Sequence, residues 1–134
     1  MANKSFVEIS TEWDIVAARQ LGRDEARGVG FGTVDQTRIS TAISELARNL
    51  NVYGLTGIII IERVKNGDRL GVCVTASHNS KSVLKNKNLT EEGVTTTLQR
   101  LEVDVERMER LMDEVEIQED AAYGPYVKVL KWLE

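Results

Sequence analysis

The chain has little of what several functional classes require. Its 134 residues include one cysteine and one histidine. A lone cysteine excludes an intrachain disulfide, and with a single histidine beside it no zinc ligand set can be assembled. There is one proline, no internal repeat and no low-complexity linker. Residues 1–134 therefore read as a single domain, long enough to bury a real core. The longest apolar run, Ile58 to Ile61, is far too short to cross a bilayer. The first ten residues hold no apolar signal-peptide segment, so the cytoplasm is the expected location. Charge of one sign is also scarce. With 17 Lys and Arg against 21 Asp and Glu, the net charge is -4, and no basic cluster stands ready to displace phosphate counterions. A nucleic-acid partner is not expected.

What is present is an ordinary globular composition, 42% apolar and 28% charged, with clear periodicities. Phe6, Glu8 and Ser10 alternate with Val7 and Ile9, which predicts a first strand. Thr11 and Asp14 have capping-box spacing and open a helix with Ile15, Ala18, Leu21, Gly22 and Ala26 inward, broken by Gly28, Gly30 and Gly32. Thr33 and Gln36 repeat the spacing ahead of a second helix to about Leu50, with Ile39, Ala42, Ile43, Leu46 and Leu50 facing inward. Leu55 to Val64, a turn at Lys65-Asn-Gly-Asp68 and Leu70 to Ala76 predict a hairpin. Residues 77 to 93 read as a loop. A third helix follows, then strands at Val115 to Gln118 and Tyr126 to Leu133. The order β-α-α-β-β-α-β-β predicts a two-layer α/β sandwich, helices on one face of a mixed sheet.

Within the second helix, Glu45 and Asn49 lie four residues apart and share one face. A carboxylate and an amide stacked in this way can hold a divalent cation and orient an attacking hydroxyl beside a triphosphate. The E-L-x-x-N pattern resembles the N-box of the Bergerat-fold, or histidine-kinase-like, ATPases. Thr11-Glu-Trp-Asp-Ile-Val-Ala-Ala-Arg-Gln-Leu-Gly-Arg23, Gly30-Phe-Gly-Thr-Val-Asp-Gln36 and Leu130-Lys-Trp-Leu133 resemble the serine/threonine switch kinase of the bacterial stressosome, the RsbT type. The resemblance is dense over residues 7 to 50 and returns at Arg110-Leu-Met-Asp-Glu114 and in the last strand. It implies the Bergerat fold, ATP and magnesium as cofactors, Glu45 as base and Asn49 on the metal. It also implies partner switching between a STAS-domain scaffold, phosphorylated on serine or threonine, and the regulatory domain of a phosphatase.

Between about residues 75 and 109 the pattern departs from the family. A working member needs D-x-G-x-G after the third strand, an aspartate for the adenine amino group and glycines where the backbone turns closely about the nucleotide. Here His78 stands at the aspartate position, and Ser80 and Ser82 replace the glycines. A neutral imidazole offers one acceptor nitrogen and no acceptor charge. Losing an acceptor matched to a buried donor commonly costs powers of ten in recognition. The glycine-rich phosphate lid is absent too, since Val94 to Met112 contains no glycine. Leu98, Leu101, Val105, Met108 and Met112 instead form one apolar stripe, opposite Glu102, Glu106, Arg107, Glu109 and Arg110. This predicts a packed helix lying across the old pocket.

The bland readings are simple. Glu45 and Asn49 become a solvated pair kept with the helix, and Thr95 to Thr97 become a helix cap. His78 becomes a loop residue and Cys73 a small core hydrophobe. Trp13 and Trp132 either close the core or anchor a partner. The sequence therefore predicts a non-catalytic protein-binding module with no cofactor and no metal, Asn49 being a remnant of the nucleotide site. Arg19, Arg23 and Arg48 are the candidates for docking a scaffold or phosphatase domain, and the third helix could make a homodimer contact. The alternative is an ATP-dependent serine/threonine kinase.

Overall fold

The computed structural model describes residues 4–50, 57–78, 105–118 and 126–133. The elements are β1 (Lys4–Ile9), α1 (Glu12–Val29), α2 (Thr33–Leu50), β2 (Gly57–Asn66), β3 (Arg69–His78), α3 (Val105–Leu111), β4 (Glu114–Gln118) and β5 (Tyr126–Trp132). The five strands form one sheet in the order β1-β2-β3-β5-β4. The α/β class and the element order are as expected from the sequence. The sheet differs in detail from the mixed one anticipated, because each described pairing is antiparallel.

Strand alternation places the helices. Val7 pairs with Ile59, Ile61 with Val74, and Val74 with Val129, so these side chains share one face of the sheet. They form a continuous cluster with Ile15 and Ala18 of α1 and with Ile39, Ala42, Ile43 and Leu46 of α2. Each fully buried isoleucine contributes on the order of 1.5–3 kcal/mol relative to exposure. The other face carries Phe6, 61% exposed, beside half-buried Ile58, Ile60 and Leu130.

Local chemistry explains the element boundaries. At the start of α1 the backbone N–H of Asp14 donates to Thr11 Oγ1 at 3.4 Å. The N–H groups of Ser10 and Thr11 each donate to Asp14 Oδ2 at 2.9 Å. These donors hold the Asp14 carboxyl below its ordinary value. Gly28 lies inside α1. The break comes at Gly30, whose φ of 121° favours glycine and whose N–H closes on Ala26 and Arg27. The second capping box does not form. Thr33 is already helical, the Gln36 N–H donates to the carbonyl of Gly32, and the Gln36 side chain donates to the Phe31 carbonyl at 2.8 Å. In the hairpin, Asn66 pairs with Arg69 around Gly67, whose φ is 63°. Such a positive φ suits the tight two-residue turn.

α3 is the described part of the helix expected over residues 98–112; positions 98–104 lie outside the described residues. Met108 and Met112 are buried, as the stripe requires, but Val105 is 36% exposed. Half-buried Leu111 packs on the core in its place. Cys73 is buried, on the sheet face away from the helices, and burial is the main cause pushing its thiol up. Trp132 is 9% exposed and donates its indole N–H to Glu114, with Arg69 over its ring, whereas Trp13 is 82% exposed.

Two outcomes follow from this packing. Met108→Asp, which places a charge among buried apolar groups, should destabilise by about 2–4 kcal/mol in denaturant unfolding, whereas exposed Glu106→Ala should be nearly silent. Because the folded Asp14 carboxyl lies below its unfolded value, its contribution to stability is complete above the ordinary aspartate range. That contribution is lost as pH falls through the folded value. Thermal melts of Asp14→Asn should therefore lack part of the acid-side decline seen in the parent.

Candidate functional site

The site is built on α2. This helix is buried along Ile39, Ala42, Ile43, Leu46, Ala47 and Leu50, which fixes its rotation and leaves Thr41, Glu45 and Arg48 on the outer side. Together with Ser44, Arg19 of α1 and Arg107 of α3, they line a cleft of about 220 Å³. Positions 41, 44, 45 and 48 fall on one face of a helix by the three- and four-residue spacing.

The two residues singled out by spacing are both engaged within the protein. Glu45 Oε1 lies 3.2 Å from the guanidinium of Arg107, with the two side chains 26% and 53% exposed. Asn49 Nδ2 donates to the Glu45 carbonyl at 3.1 Å, and Asn49 does not line the cleft. Of the three docking candidates, Arg19 and Arg48 come together around the cleft. Arg23 lies apart and donates to Thr37 Oγ1 at 3.3 Å, tying α1 to α2. His78 ends β3 opposite Gly57. The positions of Ser80, Ser82 and Thr95 to Thr97 lie outside the described residues.

Thr41, Ser44 and Arg107 are site residues that the sequence reading missed. Counting back four residues from Glu45 and from Arg48 would have found Thr41 and Ser44. Nothing in the spacing could have found Arg107, which reaches Glu45 only because α3 packs beside α2. A second cleft, of about 280 Å³, surrounds Lys131, with Asp35, Arg38, Glu109, Arg110 and Asp113 among its lining. Lys131 is 8% exposed and lies 3.8 Å from both Asp35 and Asp113. Its three cationic groups face three carboxylates, so this cleft is neutralised from within. Among the described residues no three His, Cys, Asp or Glu side chains gather as a metal site, and no helix is long and apolar enough to cross a membrane.

No family model matches the chain. The chain is similar to the serine/threonine-protein kinase RsbT of Bacillus subtilis (strain 168), with 44% identity over 133 residues, 99% of each chain. The alignment that contains residues 7 to 50 and the last strand spans nearly the full length of both proteins. The chain belongs to the family of RsbT serine/threonine-protein kinases.

Proposed function

We propose that this chain is a non-catalytic protein-binding module of bacterial stress signalling, one that keeps the RsbT fold and a docking surface but does not transfer phosphate. The observation that carries this reading lies in the sequence, where His78, Ser80 and Ser82 stand in place of the aspartate and two glycines of a nucleotide-binding member. The residues present do not suit Mg-ATP. The adenine acceptor is missing, Glu45 is paired with Arg107, and the Asn49 amide donates to its own helix. Magnitudes rank these effects. A half-exposed ion pair is worth about 0.2–1 kcal/mol, too little to exclude a ligand, whereas a lost acceptor commonly costs powers of ten in recognition. The missing box, not the ion pair, is the obstacle.

In this reading the partner is a STAS-domain scaffold or the regulatory domain of a phosphatase. Arg19 and Arg48 at the cleft, with Arg23 beside Thr37, form the docking surface. The second reading is an ATP-dependent serine/threonine kinase. The kinase activity for which the Bacillus relative is named and the retained Glu45 and Asn49 favour it.

Two measurements separate them. A bound ligand raises stability by RT ln(1 + [L]/Kd), so millimolar Mg-ATP should leave the melting temperature unchanged in the parent and in Arg107→Ala. The Glu45 pair that this variant removes is itself worth about 0.2–1 kcal/mol. A rise in melting temperature that disappears in Asn49→Ala would establish nucleotide binding and defeat the proposal.

The second measurement is a pull-down with STAS-domain scaffolds, combined with a radiolabelled ATP assay on the same mixtures. Binding without nucleotide, weakened and made less salt-dependent by Arg19→Glu or Arg23→Glu, is the expected result. Glu45→Gln should not abolish that binding. Phosphate transferred to a scaffold serine or threonine, and abolished by Glu45→Gln, would instead make the chain a kinase.

A further inference from the structure

The cleft on α2 contains a hydroxyl that the fold itself does not use. Ser44 is 5% exposed, and its Oγ has no hydrogen-bond partner among the described residues. A serine within a helix can donate to the carbonyl four residues back, and Ser44 does not. Leaving a buried hydroxyl unpaired is costly, so the exceptions call for a reason. Ser44 lines the same cleft as Thr41, Arg19 and Arg48. Among the described residues neither arginine has a hydrogen-bond or ion-pair partner. Among the described residues, three guanidinium groups line the cleft with one carboxylate, Glu45, which pairs with Arg107.

We propose that this cleft binds a phosphate monoester, the phosphorylated serine or threonine side chain of a partner protein. The planar guanidinium fork matches phosphate oxygens two at a time. The Ser44 hydroxyl adds a donor held in place by the buried face of α2. The cleft, at about 220 Å³, is smaller than the roughly 300–1,000 Å³ of pockets that enclose whole small ligands. It suits a phosphate presented on a side chain, with the rest of the partner lying over the outer side of α2. The proposal rests on the reading of the chain as a partner-binding module and gives that module a recognition chemistry.

The test is a titration of the full chain, without nucleotide or magnesium, followed by amide chemical shifts and calorimetry. The probes are a phosphoserine peptide with neutral flanks, its unphosphorylated form and inorganic phosphate. Saturable binding of the phosphopeptide, tighter than inorganic phosphate, absent for the unphosphorylated peptide and centred on α2, is the expected result. Ser44→Ala should weaken it about tenfold, the size of one hydrogen bond to a charged group, while raising the melting temperature because an unpaired buried hydroxyl is removed. A merely structural serine would show no loss of affinity. Arg48→Gln should weaken binding about tenfold and flatten its salt dependence, and Glu45→Gln should tighten it by removing a like charge.

Binding that Ser44→Ala leaves unchanged, or inorganic phosphate bound as tightly as the peptide, overturns the proposal, as does no binding at all. Because no nucleotide is present, these outcomes are independent of the phosphotransfer assay. Loss of phosphopeptide binding with no phosphotransfer sinks this inference and leaves the binding-module reading standing, whereas phosphotransfer from ATP sinks that reading.

Discussion

The close approach of α1 to α2 at Gly22 is the constraint on which the rest of the structure depends. A Cβ at this position would run into Ile43 Cδ1 of α2 and come within 3.6 Å of Ile61 Cδ1 on β2. Glycine in a helix interior sacrifices about 0.5–1 kcal/mol relative to alanine, and here the missing side chain lets three elements meet. Ile43 and Ile61 are fully buried as a result. Close-packed interiors transmit such a contact rather than absorb it, so the depth and rotation of α2 follow from it. Gly57 performs a similar service at the far end, where a Cβ would lie 2.6 Å from Leu50 Cβ.

With α2 held in that rotation, its outer face becomes the site. Thr41, Ser44, Glu45 and Arg48 surround one cleft because the opposite side of the same helix is committed to the core. The chemistry of the cleft then depends on what α1 and α3 bring to it. Among the described residues, Arg19 and Arg107 join Arg48 as its cationic groups, and Arg107 pairs with the Glu45 carboxylate. The resemblance to the switch kinases implies a base beside a nucleotide at that carboxylate. In this chain an arginine from a glycine-free segment stands beside it.

The helix face of the sheet shows a similar exchange at its edge. Strand alternation puts Lys131 on the side of Val127 and Val129, where an apolar residue is the norm. The lysine is accommodated because Asp35 and Asp113 stand 3.8 Å away on either side. Asp113 also accepts the Trp132 backbone N–H at 2.7 Å. The last strand is therefore anchored by polar contacts at its end and by apolar packing in its middle. Gly71 leaves room for the Trp132 ring, since a Cβ there would lie 2.8 Å from it.

Much of the architecture is legible in the sequence, because periodicity is a local property that the chain carries with it. The inward faces of α1 and α2, the capping box at Thr11 and Asp14 and the hairpin at Gly67 all follow from spacing and residue type. Glu45 and Asn49 are legible for the same reason, as one helical turn. Spacing misleads where the outcome depends on a neighbour: Val105 fits an apolar stripe yet is exposed, and Thr33 has cap spacing yet lies inside the helix. The sequence by itself determined the elements, their apolar faces and the pair on α2. Only the tertiary structure decided that Arg107 meets Glu45, that Arg19 joins Arg48, and that Ser44 is buried with no hydrogen-bond partner among the described residues. Those relations join residues far apart in the chain or depend on how three helices close around one face, and no local period encodes them.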